Sequence, residues 1–328
     1  VIFKGDTHIE GNLFDKRCRS LKEVSSTFLS VENGLCLHKG TKTILWPTAP
    51  LPDRLVIAEG IEAIAPYAFE GCDTIREVII PDSVVEIGYD AFSGCTRLEK
   101  IRLPSGIGTI DEKLFYECES LNSIEIPSSV KVIRDYAFYR CHSLERVILN
   151  SGLEEIGEFS FEDCSSLEEI DIPSSVERIY YRAFYCCESL HTVGFHEGLD
   201  QISTEAFYNC RSLRNVRIPG SVSYIGDECF NFCDGPISVV GDRYSFVNGV
   251  LYSHSNHDIV AVTNACKCVR IPDSLKSISL ESIYNCNSVK CLFIPDGCTG
   301  ILFSGRSVSP NIGIMIYPEH MSDKISHW

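Results

Sequence analysis

Apolar residues recur along this chain at a fixed step of 23. A phenylalanine stands at Phe69, Phe92, Phe115, Phe138, Phe161, Phe184, Phe207 and Phe230, and an isoleucine at Ile64, Ile87, Ile110, Ile133, Ile156, Ile179, Ile202 and Ile225. A cysteine keeps the same step at Cys72, Cys95, Cys118, Cys141, Cys164, Cys187, Cys210 and Cys233. Such a period marks units that stack because none can bury its apolar face alone. Within one unit, residues 81–103, the positions Leu98, Ile101 and Leu103 end in the period-2 alternation of a short strand with one buried face. Prolines at 81, 104, 127, 173 and 219 follow such strands, where a missing N–H harms no ladder and a fixed φ ends it. Val84 and Ile87 point inward from a second short segment, and the stretch D-A-F-S-G-C is predicted to form one helical turn that lays Phe92 into the core. The predicted fold is an α/β solenoid, a right-handed rod of about ten coils, each a short strand plus a short helical turn. Stacked at the strand spacing of about 4.8 Å, the coils make a rod roughly 50 Å long.

The period breaks after Cys233: Asn256 occupies the next cysteine position, and the pattern resumes at Pro272. About thirty residues are inserted. The insert contains "YSFVNGVLYSHSNHDIVAV" and the N-terminal region "STFLSVENGLCLHKGTKTILWP", each with Asn-Gly between alternating apolar residues, a favoured hairpin turn. The predicted organisation is an N-terminal cap with a β-hairpin module over 1–57 and repeats over 58–241. A β-hairpin insertion over 242–271 and final repeats with a C-terminal cap over 272–328 complete it.

The in-phase cysteines fall where the turn comes back toward the strand, a place for a small apolar side chain, and are expected to be buried free thiols. Each has a like neighbour on either side, so nothing selects disulfide pairs within the ladder. Off the ladder lie Cys18, Cys36, Cys186, Cys229, Cys266, Cys268, Cys291 and Cys298, a few of which could pair; so many thiols point to a reducing or anoxic setting.

The units resemble a known family, the 23-residue leucine-rich repeats of the Treponema pallidum or BspA-like type, with the form L-x-x-I-x-I-P-x-x-V-x-x-I-G-x-x-A-F-x-x-C. The match runs from about Leu55 to Cys298, and the hairpin stretches resemble segments that accompany these repeats. Asn150 and His196 replace the proline, Leu114, Ser160 and Cys229 replace the alanine, and Pro236 disturbs a strand. The resemblance implies surface-exposed or secreted proteins that bind host proteins or other cells, with no catalytic motif in the repeats.

The formal charge of −16 works against phosphate backbones and anionic membranes, so nucleic acid is not an expected partner. No run of about 18 apolar residues exists to span a bilayer. The nine histidines form no recognisable nucleophile arrangement, "HSNH" at 254–257 and "CKC" at 266–268 lack partner pairs at zinc spacing, and no cofactor motif occurs. The exposed strand positions Ile79, Arg102, Glu125, Ile148, Asp171, Gly194 and Arg217 mix signs and sizes, which fits either a peptide-reading surface or, the reading preferred here, a solvated face. One residue past the core phenylalanine stand Tyr116, Tyr139, Tyr185 and Tyr208, interrupted by Glu162, with Tyr136, Tyr180 and Tyr181 nearby. Either these rings pack against their neighbours, or they form a partner-binding patch, since tyrosine offers rigid contact area with a polar tip. The expected function is a non-enzymatic protein-interaction module, adhesin-like, monomeric, at the cell surface or secreted. The alternative is a cytoplasmic scaffold or the sensor region of a larger signalling protein.

Overall fold

The computed structural model describes residues 28–302 and 314–316, apart from 256–257, 265, 274, 276, 280–282, 284–287 and 299. The chain forms a solenoid of about ten turns of about 23 residues, divided into two compact units, 1–153 and 154–328.

In the first unit the strands Arg54–Val56, Glu77–Ile79, Lys100–Arg102, Ser123–Glu125 and Arg146–Ile148 pair in parallel, each residue opposite its equivalent one repeat later, as in Leu55↔Val78 and Ile124↔Val147. The second unit repeats this in Glu169–Asp171 with Thr192–Gly194, whereas Val216–Ile218 pairs in parallel with Ile237–Val239 in a register about two residues short of a full repeat. The middle residues Val78, Ile124, Val147, Ile170 and Val193 are buried, as the alternation requires. The strands end at a turn in which the carbonyl at the proline position accepts a later N–H, as Val84 N bonds Pro81 O and Val176 N bonds Pro173 O, and as Leu153 N bonds Asn150 O where proline is replaced. A second ladder of two-residue strands carries the periodic isoleucines, pairing Ile64 with Ile87, Ile110 with Ile133, and Ile156 with Ile179.

The predicted helical turn is absent from the eight repeats between 65 and 235. In the segment after Ile87 the N–H groups alternate: those of Ala91, Ser93 and Cys95 bond carbonyls three residues back, while those of Asp90, Phe92 and Gly94 bond Glu112, Leu114 and Tyr116 of the next coil. A helix would satisfy every N–H along its own axis; this arrangement sends half of them across to the neighbouring coil. It requires left-handed backbone at two points per coil, Asp90 (φ 54°) and Gly94 (φ 68°), then Lys113 (53°) and Glu117 (55°), and equivalents through Glu228 and Phe232. Most of these residues are not glycine, so each carries a steric cost that inter-coil bonding offsets.

Phenylalanine fills the centre. Ring centroids lie 5.1 Å apart for Phe69–Phe92, 5.3 Å for Phe115–Phe138 and 5.0 Å for Phe184–Phe207, all nearly parallel. The cysteines do more than fill space. Thiols donate to the carbonyl of the preceding coil's phenylalanine, Cys95 to Phe69, Cys118 to Phe92, Cys141 to Phe115 and Cys187 to Phe161, all at 3.2 Å. The same kind of carbonyl already accepts its own coil's cysteine N–H, as Phe92 O does from Cys95 N. A small side chain with one weak donor thus completes a buried acceptor. Burial holds the Cys118, Cys187 and Cys210 thiols far above the ordinary value, so little thiolate exists to react. Alkylation under native conditions followed by mass mapping should therefore leave Cys118, Cys141 and Cys187 unlabelled and modify the half-buried Cys72 and Cys186; prompt labelling of Cys141 would contradict the buried ladder.

Both hairpins are present and share one design. Leu29–Glu32 pairs Leu35–His38 around Asn33-Gly34, and Tyr244–Val247 pairs Val250–Ser253 around Asn248-Gly249. All four turn residues have positive φ, 48° and 79° in the first and 52° and 87° in the second, as a type I′ turn demands. Each second strand has a register shift, at Cys36/Leu37 and Leu251/Tyr252, before joining a third strand. Their attachments differ. In the first unit the third strand, Thr43–Pro47, extends the isoleucine ladder through Thr43↔Ala63 and Ile44↔Ile64. In the second unit, Glu228 N donates to Val260 O (2.8 Å) and Val262 N to Asn231 Oδ1 (2.7 Å), so the third strand replaces the next coil as partner of the turn segment. Tyr244 fixes this module: its hydroxyl accepts from Ile225 N (2.9 Å) and donates to Ser223 O (3.2 Å).

The cysteines of "CKC" diverge. Cys266 is buried and free, whereas Cys268 is bonded to Cys291, its direct partner across two parallel strands. His257 lies outside the described residues.

Candidate docking surface

The tyrosines owe their position to the alternating turns. Tyr116, Tyr139, Tyr185 and Tyr208 each follow a buried core phenylalanine by one residue and precede a residue of positive φ, so the ring leaves the coil on the turn side, half-buried. In the first unit Tyr116 and Tyr139 stack with centroids 5.0 Å apart and 12° between planes, and Tyr136 meets Tyr139 edge-on at 5.7 Å. In the second unit Tyr185 and Tyr208 stack at 4.9 Å and 2°, while Tyr181 lies edge-on to Phe159 at 5.1 Å. Tyr180 falls elsewhere. It hydrogen-bonds Arg178, which also donates to Glu155 at 2.9 Å, and so belongs with the short-strand ladder rather than with the stacked rings.

Cations cover the rings. The Arg182 guanidinium sits over Tyr185 at 4.5 Å and Tyr181 at 5.1 Å, Arg140 over Tyr139 at 5.2 Å, and Lys113 over Tyr136 at 5.5 Å. Sequence reasoning missed these cations. Their signal was present as adjacency, Arg140 following Tyr139 and Arg182 following Tyr181, but only the left-handed backbone at Arg140 (φ 57°) and Arg182 (φ 52°) turns them back over the rings. Tyr139 and Tyr185 each carry both a stacked ring and a guanidinium, so those two rings offer mainly edges and hydroxyls outward.

Burial pushes the Tyr185 hydroxyl up to about 12, with the nearby Cys186 thiol adding to the shift. Its folded value exceeds the unfolded one near 10, so its contribution to stability is complete below about pH 10 and is lost as pH rises through about 12. An alkaline titration following tyrosinate absorbance should show a late phase to which Tyr185 and the more deeply buried Tyr252 both contribute, and Tyr185→Phe should lower its amplitude by one tyrosine.

The strand side is different in character. Ile148 is 47% exposed and Ile79 half-buried, and Asp171 accepts a hydrogen bond from His196 Nε2 at 2.8 Å. Asp171 reaches across the next coil because Gly194 lacks a side chain; a Cβ there would lie 2.1 Å from Asp171 Oδ1. No helix among the described residues is long and apolar enough to cross a membrane.

Parallel ladders of 23-residue coils around a phenylalanine stack define a leucine-rich-repeat solenoid. The pattern of BspA-type leucine-rich repeats matches residues 53–133, 108–237 and 261–312 in six copies, and the chain belongs to that family. The leucine-rich repeat protein of T. pallidum is 30% identical, aligning over 58% of this chain and 91% of its own with a TM-score of 0.50. The pneumococcal vaccine antigen PcpA, 20% identical, aligns over 91% of this chain and 71% of its own with a TM-score of 0.54, a likeness of fold. No curated protein matches the chain.

Proposed function

We propose that this protein is a non-enzymatic interaction module, displayed at a cell surface or secreted, that holds a protein partner through the tyrosine clusters of its turn side. The stacked pairs Tyr116–Tyr139 and Tyr185–Tyr208, each topped by a guanidinium, support this reading. Prepacked rings lose little rotamer freedom on binding, and tyrosine and arginine are the side chains that dominate binding energy at protein interfaces. The Cys268–Cys291 bridge supports the extracellular setting, since such bonds persist where the surroundings oxidise. The many free thiols, which argue for an intracellular scaffold, are mostly buried and report their own shielding rather than a compartment.

The test compares binding to arrays of extracellular and of intracellular proteins by wild type, a Tyr139→Ala/Tyr185→Ala variant and an Arg102→Ser strand-side control. Extracellular hits lost by the tyrosine variant and kept by the control fit the proposal. Hits kept by a folded tyrosine variant, or confined to the intracellular array, refute it.

A further inference from the structure

The Cys268–Cys291 bridge joins the first residues of two directly paired parallel strands, Cys268–Arg270 and Cys291–Phe293. The middle residues of these strands, Val269 and Leu292, have no exposed surface, so strand alternation puts the bridge on the outer face of the ladder. In the first unit the same strand position carries Arg54, Glu77, Lys100, Ser123 and Arg146, side chains suited to solvent. Cys268 is exposed, whereas Cys291 is only 9% exposed. An entering nucleophile therefore meets Cys268 first.

The strands do not depend on the bridge for their pairing. Val269 stands opposite Leu292 and Arg270 opposite Phe293 in the ladder, Ile271 N donates to Phe293 O at 3.0 Å, and Lys267 O accepts from Lys290 N at 2.7 Å and Cys291 N at 3.3 Å. Opening the S–S bond breaks none of these. Lys267 O also stands 3.8 Å from Cys291 Sγ, so a released thiol has an acceptor at hand, as the ladder cysteines do.

The surroundings of the bridge are cationic. Segments 264–271 and 288–294 hold Lys267, Arg270 and Lys290 and no carboxylate, and all three cations are exposed. Neither Lys267 nor Arg270 forms an ion pair among the described residues; the Arg270 guanidinium lies over the half-buried Phe293 ring at 5.1 Å. The preceding coil's Asp234 accepts from Asn264 Nδ2 at 3.0 Å. Cations beside a disulfide draw in an anionic thiolate and favour departure of the leaving one. The chain's own thiols nearby are poor attackers. Cys266 and Cys298 are buried, and burial pushes the Cys266 thiol up.

We infer that the Cys268–Cys291 bridge is a thiol-exchange site that takes a cysteine carried on an acidic polypeptide. The incoming thiolate attacks Cys268 Sγ and forms a mixed disulfide there. The Cys268–Cys291 bond breaks, its electron pair leaves on Cys291 Sγ, and that thiolate takes a proton from water. One disulfide is consumed and one is formed, so the step needs no oxidant or reductant. Cations and a ring spread over two strands offer more contacts than a small thiol can use. This site is independent of the turn-side docking proposed above.

The experiment mixes the whole chain, at low salt and without oxidant, with cysteine peptides of equal length flanked by Asp/Glu or by Lys/Arg, and separately with glutathione. Timed samples are quenched by alkylation and mapped by mass. The peptide is expected on Cys268 and the alkyl label on Cys291, with the acidic peptide reacting about fivefold or more faster than the basic peptide or glutathione. Lys267→Gln/Arg270→Gln should cut that advantage to less than about twofold, and physiological salt should shrink it. Amide exchange at Val269 and Leu292 should be unchanged in the adduct. Attachment at Cys291 or at the ladder cysteines, or no attachment at all, overturns the inference. So does a basic peptide or glutathione that reacts as fast as the acidic peptide. Lost protection at Val269 and Leu292 also overturns it, since the bridge would then be a structural clasp.

Discussion

Phe184→Ala is expected to destabilise the protein by about 4 kcal/mol. The ring has no exposed surface and is stacked on both faces, against Phe161 at 5.1 Å and 2° and against Phe207 at 5.0 Å and 7°. Truncation removes the transfer energy of the ring, opens a cavity, and breaks two aromatic contacts worth about 0.5–1.5 kcal/mol each. Collapse cannot heal the cavity cheaply, because the backbone on both sides is pinned: Phe184 N bonds Ala206 O and Phe161 N bonds Ala183 O. In a stacked array the loss falls on two interfaces, so the damage should spread to the adjoining coils. Phe184→Leu, which keeps most of the volume, should cost about 1.5 kcal/mol or somewhat less. Urea denaturation of both variants decides the matter, and a cost for Phe184→Ala near that of Phe184→Leu would show that the stack is not the core's main support.

Repeating residues gave away whatever depends on burial. Phe92 and Ile87 are core because a 23-residue step returns them to the same depth, and Asn33-Gly34 and Asn248-Gly249 announce their turns because few other residues accept paired positive φ. The turn segment was misread for the opposite reason. Its left-handed sites hold Tyr67, Lys113, Tyr136, Phe159 and Arg182, residues with no local preference for that conformation, and the bonds that hold them there reach the next coil. A local reading of D-A-F-S-G-C sees only a compact turn with small Ala91 beside Phe92, which a helix would also satisfy.

The same distinction divides the candidate surface. The recurrence of Tyr116, Tyr139, Tyr185 and Tyr208 was visible as spacing, and the distances of 5.0 and 4.9 Å within the stacked pairs agree with the coil spacing. Tyr180 shares the neighbourhood in sequence but turns toward Arg178, because it stands just after a short-strand residue, Ile179, rather than after the core phenylalanine. The cations over Tyr136, Tyr139, Tyr181 and Tyr185 depend on a backbone sign that composition does not reveal. The thiol-to-carbonyl ladder was likewise hidden: the sequence supports a small buried residue, and only the neighbouring coil supplies the acceptor.

Gly226→Ala should cost about 2–3 kcal/mol, although it adds a single methyl group. A Cβ at this position would stand 2.1 Å from the Thr204 backbone nitrogen and 2.6 Å from the Ser203 carbonyl carbon. Those obstacles are main chain, so no rotamer change relieves them. The coil cannot retreat either, because Gly226 N bonds Ile202 O at 2.8 Å and Tyr224–Ile225 is paired with Gln201–Ile202. One repeat earlier the equivalent position is Ser203, which accommodates a side chain, so Ser203→Ala should change stability by less than about 0.5 kcal/mol. The repeat sequence alone treats the two sites as equivalent; the coil contacts do not. Strain at 226 also reaches the hairpin module, which hangs on Ile225 N through the Tyr244 hydroxyl and on Glu228 N through Val260 O. Chemical denaturation should therefore show the loss, and amide exchange should show it concentrated in Tyr244–Val247, Val250–Ser253 and Asp258–Val262. A Gly226→Ala protein as stable as wild type, with those amides equally protected, would mean that the coils can part at this point without loosening the module.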